Sequence, residues 1–379
     1  MSRLLYVDAK WPRPRSDAAS QRATQLVGEL VRLGFDVDFG ALSPGEHGGE
    51  LDDPIDLAGA RPVVAVDEAA LLDHVHHRGH EYDVAVVAWT RVAERLLGPL
   101  RAASPHTLVC FDTNDVNHVR EYRHARVSGN ANILRRALAM KRAELGAVAA
   151  ADVTIAISEH DAGILRAGVP AARVEVITLA VATRPDEPPG PAGRRGAIYL
   201  GNYNAWHNVD AVSHLVADVV PELERRGSGL SITLAGAGRH ALIDALASAR
   251  VTVAGFVDDV AAAFDRQRMF VAPLRVGSGV KGKLLTALAL GLPVVATPIA
   301  IEGIPLVDGQ TCLLASTPAD FAAACLRLER DDELWRRLSA AGRAMVTERF
   351  SQAVVREQVG RVFGPLRELS AVAGGRARR

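Results

Sequence analysis

The chain has 379 residues, 49% of them hydrophobic and 23% charged, and its 44 basic and 44 acidic side chains cancel to a formal net charge of +0. That length is more than one ordinary core holds, so two domains are expected, and the charge balance argues against a nucleic-acid partner; the basic end "GGRARR" reads as a solvated terminus. Cys110, Cys312 and Cys325 lie far apart without metal-ligand spacing, no start resembles a signal peptide and no apolar run is long enough to span a bilayer, so a cytoplasmic protein with reduced thiols is expected, docking on a membrane surface staying open.

Along the chain, short apolar runs bounded by turn residues recur: "LLYVD" (4–8), "VDFGAL" (37–42), "VVAV" (63–66), "VAVVAW" (84–89), "TLVCF" (107–111) and "VTIAIS" (153–158). Helical periodicity fills the gaps, as over Ala19–Leu33 and Leu134–Ala151. Apolar strands alternating with amphipathic helices predict a parallel sheet covered on both faces, hence a doubly wound domain over 1–183. The Pro- and Gly-rich "ATRPDEPPGPAGRRG" (182–196) lacks periodicity, and 184–196 is assigned as a linker. The pattern then restarts over 197–350, with strands at "AIYLG" (197–201), "LSITLAG" (230–236), "VTVAGF" (251–256), "MFVAP" (269–273) and "PVVAT" (293–297), a helix over Val209–Arg225, and helices from Pro318 onward broken near "RFS" (349–351). The last helix, about 351–370, is expected to pack back on the first domain. Two α/β Rossmann-like domains facing a central cleft are therefore predicted.

The most informative stretch is "PLRVGSGVKGKLLTALALGLPVVAT" (273–297). The chain holds forty arginines but four lysines, Lys10, Lys141, Lys281 and Lys283, so two lysines one glycine apart mark a local demand for compact ammonium groups. Gly277, Ser278, Gly279 and Gly282 let backbone N–H groups converge, and a helix beginning near Val280–Lys283 adds free N–H donors and a positive dipole end. With Arg275 in reach, the loop reads as a cradle for a diphosphate; the plainer alternative is a strand-to-helix turn with surface cations. A Walker loop is not matched, since Lys283 is followed by Leu284, and "AGAGRHA" after the strand at 230–235 lacks the third glycine of a dinucleotide fingerprint. The histidines of "DHVHHRGHEYD" (His74, His77, His80) lack a supporting carboxylate set and read as a polar helix end better than as a zinc site.

The stretch 271–304 resembles the donor-binding region of retaining glycosyltransferases of the GT-B fold, family 4-like (glycosyl transferases group 1). "AIYLGNYNAWHNVDAV" (197–212), "AGFVDDVAAAF" (254–264), the start at 4–37, "FDTNDVNHVREYRHARVSGN" (111–130) and "AADVTIAISEHDAGIL" (150–165) fit the same family in order. The resemblance implies hexosyl transfer, with retention, from a nucleotide-diphosphate-sugar donor held by the second domain. The acceptor, a glycan, lipid-linked or small molecule, would be held by the first. It assigns Gly201 and Asn202 to the loop under the donor phosphates, opposite Arg275, Gly277, Ser278, Gly279, Val280, Lys281, Gly282, Lys283, Leu284 and Leu285, with Glu302 lining the same place. The Arg–Lys pair of many relatives falls here near Asn202 and His207–Asn208. Relatives carry two acids where this chain has Ser278 and Thr286; Thr286 cannot take two ribose hydroxyls as a carboxylate does. In the first domain "SDAAS" (16–20) replaces a glycine-rich loop.

The implied chemistry needs no protein nucleophile and no bound metal or other cofactor: positive charge stabilises the departing diphosphate. Lys281, Lys283 and Arg275 are the expected catalytic cations. Asp112, Asp115, His118 and Arg120, in "DTNDVNHVRE", follow a strand end and are expected to touch sugar or acceptor, Asp115 and His118 as catalytic candidates. Asp17, Ser20 and Arg22 are acceptor-side candidates. For both groups a capped helix start is the alternative.

Overall fold

The computed structural model describes residues 2–14, 17–45, 55–238 and 241–377, with side chains to 368. The chain divides into two compact units. The first comprises Met1–His118, Arg135–Ala180 and Gln352–Arg379; the second comprises Val119–Leu134 and Val181–Ser351.

In the first unit the strands are β1 (Arg3–Asp8), β2 (Asp36–Ala41), β3 (Arg61–Pro62), β4 (Val84–Ala88), β5 (Leu108–Asp112), β6 (Val153–Ala156) and β7 (Val174–Val176). They form a parallel sheet in the order β3-β2-β1-β4-β5-β6-β7. Every residue of β4 and β6 is buried, as expected of strands covered on both faces. The helices are α1 (Ala18–Arg32), α2 (Glu68–Arg78), α3 (Thr90–Ala103), α4 (Asn117–Ser128), α5 (Ala131–Ala150) and α6 (Glu159–Gly168); α4 and α5 each cross a boundary between units. The C-terminal helix Gln352–Ala377 buries Val355, Val359, Val362, Phe363 and Leu366 in the same core as Leu26, Leu30 and Phe35. Their 3–4 residue spacing makes one apolar stripe, each such side chain adding roughly 1.5–3 kcal/mol. Buried Glu29 fixes the register by accepting from Gln352 Nε2 (2.7 Å) and Arg356 Nε (3.0 Å).

The run Val63–Val66 is not the predicted strand. The ladder there is β3, one step upstream, and Val63 N–H to Phe39 O is the next bond after it; Val64 and Val66 are 94% and 84% exposed. Pro62, which has no N–H to give, suits an edge strand and helps end it.

The second unit repeats the plan with β8 (Ala197–Leu200), β9 (Ile232–Ala235), β10 (Val251–Gly255), β11 (Met269–Ala272), β12 (Val294–Ala296) and β13 (Leu313–Leu314), ordered β10-β9-β8-β11-β12-β13 and parallel throughout. Its helices are α7 (Trp206–His214), α8 (Val220–Arg225), α9 (Ala241–Asp244), α10 (Val260–Asp265), α11 (Gly282–Ala289), α12 (Pro318–Arg330) and α13 (Asp332–Arg349). The single helix predicted over 209–225 is interrupted by a π stretch at Leu215–Val219. Pro221, which has no N–H and crowds the carbonyl four residues back, accounts for the widened turn.

The segment 182–196 contains no helix or strand. It is nonetheless anchored: Arg194, 6% exposed, donates to the carbonyls of Pro189 and Phe264 and lies over the Trp335 ring. Among the described residues no helix is long and apolar enough to cross a membrane.

Candidate active site

In both sheets the strand order reverses beside the first strand of the unit, at β1/β4 and at β8/β11. Ligands of open parallel sheets bind outside the carboxyl ends of the strands at such a point. In the second unit this places together the loop after β8, beginning at Gly201, and the loop after β11, which runs from Pro273 to Lys281 and feeds α11.

Helix α11 starts at Gly282 with Lys281 as its N-cap and no side-chain cap bond, while Leu284 N–H and Leu285 N–H close on Lys281 O. Gly279 takes φ +63, a left-handed conformation that a side chain would strain. Lys281, 8% exposed, folds back so that Nζ donates to Gly279 O (2.8 Å), and its Cε lies 3.3 Å from where a Cβ on Gly277 would stand. Ser278 Oγ is buried and has no hydrogen-bond partner among the described residues. Lys283 turns toward β8: Nζ donates to Tyr199 OH (2.8 Å) and Asn208 Oδ1 (2.5 Å) and sits 4.5 Å from the Tyr199 ring centre. Burial and neighbouring Lys281 push the Lys283 ammonium down to about 7. Leu284 and Leu285 are fully buried and hold the helix to its sheet. Thr286, half-buried, donates its hydroxyl back to Gly282 O (3.0 Å), a bond within its own helix.

Asn208 is the residue that the sequence placed only by comparison with relatives. Its Oδ1 accepts from Tyr199 OH (2.6 Å) and Lys283, and its Nδ2 donates to Asn202 O (2.8 Å), so one side chain joins β8, the loop under it and α11. Gly201 is needed there, because a Cβ would stand 2.7 Å from Tyr199. Gly236, at φ +133 after β9, lies backbone against backbone with Gly201. Exposed Asn202 accepts from Asn204 N–H (3.0 Å). His207 is held neutral, at about 3, by burial and by Lys283, Arg120 and Lys281 around it.

The Arg275 fork grips buried Asp210 through Nη2 (2.5 Å) and Nε (3.2 Å). Arg123, which was not singled out, donates 2.6 Å bonds to both oxygens of Glu302 and to Gly277 O. Beside it His124 stacks on Trp206, ring centres 3.7 Å apart. Arg120 belongs to the same unit and contributes to the field at His207.

In the first unit the corresponding strand ends carry acids. Asp17 caps α1 by accepting from Ser20 N–H (2.7 Å) and also takes Lys10 Nζ (2.6 Å). Arg22, 2% exposed, pairs with fully buried Asp112 and donates to Asn114 Oδ1 (3.1 Å) and Ile177 O (3.0 Å). His118 Nδ1 lies 2.5 Å from Oε2 of fully buried Glu144, whose other oxygen accepts from Asn117 N–H (3.0 Å). A carboxylate from α5 thus caps the start of α4. Asp115 lies partly buried in the turn before it, where its carbonyl accepts from Asn117 Nδ2 (3.4 Å).

Asp8, at the tip of β1, was not foreseen. It is buried, accepts from Trp89 Nε1 (3.0 Å) and Ala9 N–H (2.6 Å), and is pushed up to about 7 by burial, with the Asp112 charge adding to the shift. Trp89 and Asn114 beside it take φ of 75 and 56, conformations rare outside glycine and concentrated at functional sites. Ser16 of "SDAAS" and Arg239–His240 of "AGAGRHA" lie outside the described residues. His74 bonds Tyr82 OH (2.9 Å) and His77 bonds Asp73 O (2.9 Å); among the described residues no three His, Cys, Asp or Glu side chains gather as a metal site.

Two parallel six- and seven-stranded Rossmann-like sheets with these switch points define a GT-B-like fold, and solved structures agree. The chain is similar to sucrose-phosphate synthase from Thermosynechococcus elongatus (TM-score 0.76, 16% identity, 98% of this chain and 100% of that one). It is also similar to Anabaena HepE in complex with UDP and glucose (0.68, 14%, 95% and 99%) and to a glycosyltransferase from Rickettsia africae (0.67, 14%, 96% and 98%). Within the second unit, residues 194–331, which contain the loops just described, match the family model Glycosyl transferases group 1. No curated protein matches the chain in sequence.

Proposed function

We propose that the protein is a retaining, hexosyl-type glycosyltransferase of the family 4 kind, which moves a sugar from a nucleotide-diphosphate-sugar donor to a glycan, lipid-linked or small-molecule acceptor. The observation that carries this reading is the start of α11, where a left-handed glycine, an uncapped helix end and two lysines meet at the switch point inside the matched domain. The glycosidic C–O bond to the diphosphate breaks, a C–O bond to the acceptor hydroxyl forms on the same face, and the acceptor's proton passes to the leaving diphosphate oxygen. Lys281, Lys283 and the first N–H groups of α11 stabilise that oxygen; Gly201 and Asn202 leave room opposite. A bound metal is not required in this scheme. Uridine diphosphate sugars are the first donors to test, as HepE was solved with UDP-glucose. Buried free thiols at Cys110, Cys312 and Cys325 support a cytoplasmic location.

A thermal-shift screen of nucleotide sugars tests the reading, since a ligand at 100 times its Kd stabilises by about 2.7 kcal/mol. The expected result is one stabilising donor whose turnover falls about 10²–10³-fold in Lys281→Ala and Lys283→Ala. Full turnover in both variants removes the phosphate assignment. A second reading, a sugar-nucleotide-binding or scaffold subunit without turnover, draws on Thr286, whose hydroxyl is turned into its own helix. Tight binding of the donor by calorimetry without product would select it.

A further inference from the structure

The exposed face of α5 is not used by any of this chemistry. Its buried side, Ala137, Glu144, Ala147 and Val148, packs inward. Flanking that stripe, Leu134 and Leu138, 37% and 48% exposed, stand one turn apart, and exposed Lys141 and Arg142 continue at i+7 and i+8 from Leu134. Arg135 and Arg136 are exposed on the same helix. From Ala131 to Ala143 there is no Asp or Glu, and one of the chain's four lysines is spent here. Charge is therefore concentrated here.

We infer that the outer face of α5 docks the protein on an anionic lipid surface. Arg135, Lys141 and Arg142, each three or four residues from Leu138 and so on its face, are attracted by acidic headgroups, and the two leucines offer apolar area that enters the interfacial region while the long basic stems reach around them. Isolated exposed leucines carry little meaning; a pair on an acid-free basic stripe is a different case. Nucleic acid would share the cations but has no use for the leucines, so the bilayer is the partner chosen. The helix would lie on the membrane, in keeping with the lack of a spanning helix among the described residues. This inference does not depend on the transfer reaction.

The test is sedimentation of the full chain with phosphatidylcholine vesicles, with and without about one quarter phosphatidylglycerol. Binding is expected to the anionic vesicles alone and to weaken as salt is added. Lys141→Glu with Arg142→Glu should lower it by about 25-fold or more, at roughly a fivefold loss for each cation, and Leu138→Ala by a few-fold. Arg336→Glu with Arg337→Glu, the same charge change at exposed positions of α13, should bind as the native chain does. Because all these side chains are exposed, unchanged thermal melting will show that the variants are folded. Equal binding to neutral vesicles, no binding at low salt, or native binding by Lys141→Glu/Arg142→Glu would overturn the inference. So would tighter binding to a duplex oligonucleotide than to the vesicles at the same salt.

Discussion

The two units share a strand order and a switch point, yet opposite charge gathers at the strand ends. In the first unit Asp8, Asp17 and Asp112 stand at or near the tips of β1 and β5, where buried Arg22 is consumed by Asp112 and Lys10 pairs with Asp17. In the second, Lys281 and Lys283 sit beside glycines, and the nearby acids Asp210 and Glu302 are taken up by Arg275 and Arg123. One topology supplies the place, and the side chains in the βα loops decide which charge a ligand meets there. A pair of folded ion pairs in each unit sets which charges remain for a ligand.

The comparison breaks most severely at Arg22. Arg22→Met leaves the Asp112 carboxylate buried and unpaired, and a loss of about 3–5 kcal/mol is expected in chemical denaturation of the first unit; Asp112→Asn in the same background should recover part of it. Next comes Asp8. Its carboxyl is raised in the folded state, so the stability it contributes is complete below the ordinary carboxylate range near 4 and is lost as pH rises through about 7. Melting temperature should therefore decline over that window, and Asp8→Asn should flatten the decline; an unchanged pH profile would show that Asp8 does not titrate there.

In the second unit the shift runs the other way, downward on a base. Lys283 is lowered to about 7 in the folded protein, and a diphosphate favours its charged form, so binding takes up a proton. Affinity for the nucleotide diphosphate should rise as pH falls toward 7, by up to about tenfold per unit, and level off below. Calorimetry in buffers of different ionisation enthalpy measures the proton directly, and Lys283→Met should abolish it. The smallest effect is expected at Thr286: Thr286→Glu supplies a carboxylate for ribose hydroxyls and should tighten donor binding several-fold, on the order of 1 kcal/mol. Unchanged affinity would mean the ribose is held elsewhere.

Both sheets were legible because buried parallel strands are written as continuous apolar runs. The short strands were not: β7 and β13 have three and two residues, too few to show a period, and Val63–Val66 reads as a strand although half of it faces water. At the site, the glycines and lysines of 277–283 could be read locally. Their partners could not. Asn208 meets Lys283 across 75 residues, Arg123 meets Glu302 across 179, and Glu144 reaches the start of α4 from another helix, so no spacing rule announces them. Asp8 was hidden for a simpler reason: its burial and its neighbour Asp112 exist only once β1, β4 and β5 are side by side.

Loops at the ends of parallel strands are commonly treated as exchangeable parts when specificity is to be redesigned. Here the loops after β8 and β9 are a single unit of inheritance, because Gly236 presses on the backbone of Gly201 and Gly238 on that of Asn204. A chimaera that imports one of them from a relative will fail by collision before its donor preference can be measured. Recombination breakpoints belong upstream of Ala197 and downstream of Gly238, so that both loops travel together.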